Sequence, residues 1–367
     1  MSTIREIELS EVISSLPEAR PYEPLSTLDG TAALFLCALG FEDRCLVVPR
    51  SLAEHGFSCQ QAVHLEYATN LKHNSRNRTE LVRSLRLMSR GDVHRMPSDV
   101  EDFPASLRSL LALIVSATGD KPPVVVFDIS VAANRLLMTC MKVLLEHDVR
   151  LRVLYSEAAR YYPTEEDYNR NPSRWESDKA LGLERGVSDV KVSPAYPGCH
   201  VDQLPDCVVL FPSFKRERAN AIISYVDPSL LTLPRDKVIW LLGKPHLPEN
   251  QWRINAMRFI NRLVDVPNYE VSTFDYKESL CVLHDVHRRR VGRYRFTLAP
   301  IGSKMSALGA ALFCYIHPDV RILFATPKEY NARQYSDGCV ATWMVDFGDL
   351  SRIRDLLDKV GLLVVKD

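Results

Sequence analysis

An internal repeat is the feature that most constrains how this chain folds. The interval from Phe41 to Asp128 and the interval from Phe214 to Ile301 are both 87 positions, and each begins one to three residues after a strand-length apolar run. A repeat of this length spans several secondary-structure elements. The sequence therefore predicts two related halves, each folding into the same series of elements.

Within each half, apolar runs alternate with segments of helical periodicity. The runs 32–39, 124–129 and 207–211 are almost entirely apolar, which is typical of parallel strands that are buried on both faces. Strands that alternate with helices form a right-handed parallel sheet covered by helices. We predict an α/β protein of two tandem Rossmann-like (parallel-sheet, three-layer) domains related by internal duplication.

Changes in this pattern set the predicted domain boundaries. Residues 1–30 predict an N-terminal arm, with a short amphipathic helix over 4–16 and a proline-rich connector. The first Rossmann-like domain spans 31–162. Residues 163–206 lack periodicity and predict a linker, and the second Rossmann-like domain spans 207–367.

Composition narrows the class of protein. Of 367 residues, 46% are hydrophobic and 25% are charged, as in globular proteins, and the apolar runs are too short to cross a membrane. Lysine plus arginine equals aspartate plus glutamate at 46 each, which argues against general nucleic-acid coating. The nine scattered cysteines predict reduced thiols in a cytoplasmic protein. His284 and His287 have no second ligand pair near them in sequence, so no metal site is predicted.

The strongest candidate site is the turn that follows the strand 294–298. Ser303 predicts a helix N-cap, and Gly302 allows close approach of the backbone to a ligand. Lys304 lies in the first helical turn, where a cation opposes the helix dipole unless it faces an anion. This pattern predicts binding of a phosphate or carboxylate. The alternative is an exposed lysine on an ordinary turn, and the spacing differs from that of a P-loop.

The corresponding turn of the first half has different chemistry. Asp128 ends its strand, Ser130 aligns with Ser303, and Arg135 in the next helix is a further candidate for ligand binding. Asp128 is a candidate to orient a hydroxyl, to hold a metal ion or to act as a general acid or base. The alternative is that Asp128 only caps the turn that follows it.

A second acidic candidate, Asp43, follows the first strand. Its alternative role is a structural pair with Arg44. The carboxyl ends of parallel strands meet at one edge of a sheet. The segments 40–44, 128–130 and 156–162 are therefore predicted to converge.

Tyrosines and cations follow the last crossover strand of the second half. Tyr330, Arg333 and Tyr335 suit stacking on a base and pairing with phosphate, and the alternative is a loop packed by its own aromatic rings. Two basic clusters, Arg76–Arg95 and Arg288–Arg295, are candidate contacts for nucleic acid or an acidic partner. Solvated helix faces are the alternative.

The turns 299–305 and 128–130 resemble those of the CRISPR-associated Rossmann fold domains, which are ligand sensors of prokaryotic defence proteins. The resemblance implies a nucleotide-type signal held over the sheet by backbone amides, a hydroxyl and a lysine, usually in a dimer. This chain departs from that family because it has no obvious effector segment such as a nuclease.

We therefore expect binding of a phosphate-bearing, nucleotide-like ligand by a sensor or regulatory subunit that forms homo- or hetero-oligomers. One alternative is a hydrolase or transferase that acts on a nucleotide or phosphorylated substrate. Another is a scaffold subunit that meets a protein or nucleic-acid partner. No cofactor and no membrane contact are predicted.

Overall fold

A computed structural model describes residues 3–23, 31–119, 121–170, 184–199, 203–233, 236–332 and 335–366. The chain divides into two compact units, the first formed by 1–161 with 335–367 and the second by 162–334. Each unit contains a mostly parallel sheet flanked by helices. The predicted fold class, two Rossmann-like α/β units, is confirmed.

The strands, numbered in chain order, are β1 (Thr3–Glu6), β2 (Arg20–Pro21), β3 (Ala32–Ala38), β4 (Cys59–Glu66), β5 (Val93–Pro97), β6 (Val124–Asp128), β7 (Arg150–Glu157), β8 (Arg160–Tyr161), β9 (Glu184–Val192), β10 (Asp206–Leu210), β11 (Val238–Lys244), β12 (Asn268–Ser272), β13 (Arg295–Ala299), β14 (Arg321–Tyr330), β15 (Ser336–Asp337), β16 (Ala341–Asp349) and β17 (Leu363–Lys366). The helices are α1 (Leu9–Ile13), α2 (Val47–Glu54), α3 (Leu71–Met88), α4 (Phe103–Thr118), α5 (Asn134–Leu144), α6 (Glu165–Arg170), α7 (Arg216–Val226), α8 (Trp252–Ile260), α9 (Tyr276–Arg288), α10 (Lys304–Ile316) and α11 (Leu350–Leu357).

The main sheet of the first unit has the order β2-β16-β7-β6-β3-β4-β5. Strands β3 to β7 are parallel, and the direction of chain progression reverses between β3 and β6. That reversal is a topological switch point, where ligands bind in open α/β sheets. Every residue of β3 is buried, because the strand is central and both of its faces are covered.

The sheet of the second unit has the order β12-β11-β10-β13-β14-β9, with its switch point between β10 and β13. Its five parallel strands follow the same order as those of the first unit. In both sheets an antiparallel strand lies against the last parallel strand, β16 against β7 and β9 against β14. This shared topology supports the predicted internal duplication.

In each sheet, the antiparallel strand comes from outside the repeat that supplies the parallel strands. It belongs to the segment of chain that follows the other repeat. Strand β9, in the predicted linker 163–206, pairs with β14, and β16, in the predicted second domain, pairs with β7. The structure therefore divides the chain differently from the predicted boundaries. Residues 335–367 belong to the first unit, and α6 and β9 belong to the second. Local periodicity does not report such pairing, because the partners are far apart in sequence.

The N-terminal arm also differs from its prediction. Residues Thr3–Glu6 form β1 and pair with β17, so the helix α1 is shorter than the predicted span 4–16. Strand β2 pairs with β16 at the edge of the first sheet. The arm is therefore part of the first unit. Part of its predicted proline-rich connector, 24–30, lies outside the described residues.

Several cysteines are core residues, as predicted for reduced structural thiols. Cys37, Cys140, Cys207 and Cys314 are all buried. Burial raises the pKa of Cys207 to about 12, so this thiol stays protonated at neutral pH. Within the described part of the chain, no helix combines the length and the apolar character needed to cross a membrane.

Candidate functional site

The carboxyl edge of the first sheet carries a buried polar network. Arg44 forms an ion pair with Glu42, with 2.6 Å between Nη2 and Oε2, and Arg44 Nη1 donates to the Ser156 carbonyl oxygen at 2.9 Å. The Ser156 amide in turn donates to Ser130 Oγ at 2.8 Å. The turns after β3 and β6 therefore meet the carboxyl end of β7, and the predicted convergence of these segments is confirmed.

Arg44 pairs with Glu42. The predicted structural alternative, a pair of Asp43 with Arg44, is therefore wrong. Asp43 is exposed and begins a short 3-10 turn, Asp43–Leu46. Burial alone would lower the pKa of Arg44, but the Glu42 carboxylate raises it, so the guanidinium remains charged. Ser336, on β15, also donates to Glu42. The ion pair thus links the turn after β3 to the C-terminal segment of the chain.

Asp128 and Ser130 form a closed local pair. The Ser130 amide and hydroxyl both donate to Asp128 Oδ1, at 2.9 and 2.5 Å. Burial raises the pKa of Asp128 to about 6, and both side chains are at most 2% exposed. This is the geometry of the capping alternative, because the carboxylate closes its own turn and is not open to a substrate.

Several of the basic residues predicted to bind a ligand or nucleic acid form ion pairs within the protein. Arg135, a predicted ligand-binding residue, pairs with Asp99. From the cluster Arg76–Arg95, Arg78 and Arg95 both reach the buried Glu66, at 2.9 and 2.7 Å. From the cluster Arg288–Arg295, Arg295 pairs with Asp206 at 2.6 Å. These cations have structural partners, and nucleic-acid binding by either cluster stays a prediction.

The switch point of the second unit carries two lysines, Lys215 and Lys304, where that of the first unit carries the buried polar network. The turns after β10 and β13 start side by side, because the Phe211 amide donates to the Ala299 carbonyl oxygen at 3.2 Å. Helix α7 shares a core with α8 and with Val208 and Leu210 of β10, whereas α10 packs against α9. Two helix N-termini therefore flank this edge of the sheet, one on each face.

The structure confirms Ser303 as the N-cap of α10. Its hydroxyl accepts from the Ser306 amide at 3.0 Å and donates to the Thr273 carbonyl oxygen at 2.6 Å. At Gly302, a Cβ atom would lie 3.1 Å from two carbon atoms of Phe211, so packing favours glycine there. Helix capping and packing account for these two residues. Lys304 follows as the first residue of α10.

The turns that the repeat aligns carry opposite charges. Glu42 occupies the N-cap position of the 3-10 turn in the first unit, and the aligned residue Lys215 occupies the N-cap position of α7. Lys215 is only 6% exposed. Lys215 and Lys304 therefore both stand at helix N-termini of one sheet edge, where the helix dipole favours anions and opposes cations.

A cavity of about 590 Å³ also lies in the second unit, between α7 and the paired strands β9 and β14. It is lined by Gly186, Val187, Glu217, Asn220, Ala221, Lys328 and Glu329, so the turn with Lys304 is not part of its lining. Tyr330 ends β14 beside this cavity and pairs in register with Glu184. Two residues were predicted to act with Tyr330. Arg333 lies outside the described residues, and Tyr335 belongs to the first unit, where it packs edge-on against Phe41.

The predicted ligand-binding set thus divides between the two units. Ser130 and Arg135 belong to the first unit, whereas the turn 302–304 and Tyr330 belong to the second. Sequence reasoning missed a further group. His317 and Asp319 lie beside His284 and His287 in the second unit. The signal was present as two short pairs, one of two histidines and one of histidine with aspartate, about 30 residues apart.

No known protein family matches the chain, and no curated protein matches it. Among solved structures, the chain aligns with the cytoplasmic domain of a prokaryotic cation chloride cotransporter at 8% identity and a TM-score of 0.24. The alignment covers 83% of this chain and 99% of the other. An alignment at this score does not establish a shared fold, and no property of this chain follows from it.

Proposed function

We propose that the second unit binds a phosphate-bearing, nucleotide-like ligand at the switch point between β10 and β13. The observation that carries this proposal is the pair of lysines, Lys215 and Lys304, at two helix N-termini of one sheet edge. The dipole of each helix favours an anion at its N-terminus. A phosphate group at this edge would interact favourably with both lysines and with both helix N-termini.

The backbone contributes to the same site. The first amide groups of α7 and α10 lack acceptors within their own helices, and such groups bind phosphate at helix N-termini. Ser303 holds the start of α10 in place through its bonds to Ser306 and Thr273. In this proposal Ser303 positions the amides, and Lys304 supplies the charge that meets the ligand.

The first unit supports this division of roles. Its own switch point is occupied by the ion pair of Glu42 with Arg44 and by the closed pair of Asp128 with Ser130. An enzyme that uses Asp128 as an acid or base has less support, since that carboxylate is 2% exposed and bonded to its neighbour. Ligand binding is therefore assigned to the second unit.

The nucleotide character of the ligand rests on the resemblance of the turn 299–305 to sensor domains of prokaryotic defence proteins. On that basis the protein is a cytoplasmic sensor or regulatory subunit that works in an oligomer. A sensor binds its signal without consuming it. The two lysines therefore support binding of the ligand directly. Turnover of the ligand is not needed for this function.

A thermal-shift screen of the full-length chain tests the proposal. The probes are ATP, a cyclic dinucleotide and inorganic phosphate, each with a parallel assay for product formation. A bound probe at 100 times its dissociation constant stabilises the fold by about 2.7 kcal/mol, with no product formed. If none of these probes raises the unfolding midpoint, the proposed site is wrong. Product formation would instead favour the enzyme alternative.

A further inference from the structure

A cluster of three histidines and one aspartate lies at the amino edge of the second sheet, opposite the switch point. His284 and His287 belong to α9, and His317 and Asp319 belong to the loop between α10 and β14. This loop directly precedes β14. The cluster therefore joins two segments that are about 30 residues apart in sequence.

The side chains of the cluster are in direct contact. His287 Nε2 lies 2.8 Å from Asp319 Oδ2, and His284 Nδ1 lies 2.9 Å from His317 Nε2. The rings of His287 and His317 have centroids 4.1 Å apart. One ligand atom each from His287, His317 and Asp319 lies within 4.8 Å of the other two.

The side chains of the cluster are of the kinds that coordinate metals, because neutral imidazole nitrogens and carboxylate oxygens are common metal ligands.

His287 adds a second observation. Its side chain is 3% exposed, and its Nδ1 atom has no hydrogen-bond partner among the described residues. A buried polar atom without a partner costs free energy. The described residues therefore provide a hydrogen-bond partner for Nε2 of the buried His287 ring but none for its Nδ1.

We propose that His287, His317 and Asp319 bind a divalent transition-metal ion, for which Zn²⁺ is the best match. Imidazole nitrogen favours zinc over magnesium or calcium, which prefer oxygen ligands. Zinc bonds of about 2.0–2.2 Å place tetrahedral ligand atoms about 3.3 Å apart. In the present arrangement, one ligand atom from each of the three residues lies within 4.8 Å of the other two, so side-chain adjustments of about 1 Å reach that geometry.

His284 is a positioning residue in this site. Its hydrogen bond uses Nε2 of His317, so Nδ1 is the nitrogen of that ring that would bind the ion. Such outer contacts fix the orientation of a ligating histidine. Asp319 is 42% exposed, which gives the ion a path from solvent, and water completes the coordination. The bound ion would tie α9 to the loop before β14.

Zinc titration of the metal-free, full-length chain by calorimetry tests the site. We expect the wild type to bind one Zn²⁺ per chain, with a higher unfolding midpoint when zinc is present. His317→Ala should lose this binding, and His284→Phe should weaken it about 10–100-fold while keeping the stoichiometry. The matched control is His94→Ala, which removes an exposed histidine from β5 in the other unit and should bind zinc like the wild type.

Asp319→Asn provides a second test that does not depend on a buried substitution. Its side chain is partly exposed, so the variant should fold normally and still bind zinc more weakly than the wild type. Co²⁺ bound to the wild type should give the visible spectrum of a site with nitrogen and oxygen ligands. A wild type that binds no zinc overturns the proposal, and so does an Asp319→Asn variant with unchanged affinity.

Discussion

The side-chain amide of Asn77 donates to the carbonyl oxygen of Gly40 at 3.0 Å. In the second unit, Asn261 makes the corresponding bond to Ser213, also at 3.0 Å. Gly40 and Ser213 are aligned by the repeat and follow the first parallel strand of each sheet. The same side-chain bond therefore holds the first switch-point turn in both units, although the two asparagines come at different distances along the chain.

Replacing either asparagine should destabilise the fold. Asn77→Ala and Asn261→Ala leave a turn carbonyl without its donor, and we expect each to lower the free energy of unfolding by about 1–3 kcal/mol. Urea denaturation measures the change. The matched control is Asn255→Ala on the exposed face of α8, which should change stability by less than about 0.5 kcal/mol. Equal effects at all three positions would show that these turn bonds are not special.

The buried ion pair of Glu42 with Arg44 should show strong coupling. Arg44→Met leaves a buried carboxylate without its cation and should cost about 3–5 kcal/mol. The double variant Glu42→Gln with Arg44→Met removes that unpaired charge, so it should be more stable than Arg44→Met alone.

Denaturant unfolding of the single and double variants tests this coupling. The control is Arg108→Met, which breaks a more exposed pair with Glu146 and should cost at most about 1 kcal/mol. A double variant less stable than Arg44→Met would mean that Glu42 acts independently of Arg44.

Asp128 should make stability depend on pH. Its pKa is about 6 in the folded chain, against an ordinary value of 3.8. Between these values the folded chain keeps a proton that the unfolded chain has lost, so the free energy of unfolding falls as pH rises from about 4 to about 6 and then levels off. A two-unit difference in pKa corresponds to a loss of about 3 kcal/mol.

Asp128→Asn isolates this effect, because an amide oxygen can still accept both bonds from Ser130 and the side chain does not ionise. Unfolding free energies of the wild type and the variant, measured across this pH range, should differ by an amount that changes with pH. A constant difference would show that Asp128 ionises normally in the folded protein.

The N-cap of α10 should contribute measurably to stability without any ligand. Ser303→Ala removes the acceptor for the Ser306 amide and should cost about 1 kcal/mol in urea unfolding of the unliganded chain. Ser303→Thr keeps a hydroxyl and should retain most of that stability. If both variants behaved like the wild type, the serine would have another role.

The elements that the sequence predicts well are those with local signals. The central parallel strands are continuous apolar runs, and the N-cap Ser303 stands directly before a helical segment. The convergence of the turns at 40–44, 128–130 and 156–162 follows from the direction of parallel strands. Each of these predictions needs only neighbouring residues and a general rule of sheet topology.

The elements that the sequence does not predict depend on contacts between distant segments. Strands β9 and β16 pair antiparallel with β14 and β7, which lie far from them in the sequence, so no local pattern assigns them. Arg44 has two acidic neighbours in sequence, and only the fold selects Glu42. His317 and Asp319 lie against α9 because they follow α10, which packs against that helix.

The central claim is that the lysine at the start of α10 meets a phosphate. The most direct test is calorimetric binding of the best nucleotide probe to the wild type, to Lys304→Gln and to Lys328→Gln. Lys328→Gln removes the same charge from the cavity beside β14. Our account predicts a large loss of affinity only for Lys304→Gln, whose unliganded unfolding midpoint should equal or slightly exceed that of the wild type, because the variant lacks a cation that the helix dipole opposes. Wild-type affinity in Lys304→Gln, or a loss confined to Lys328→Gln, would contradict it.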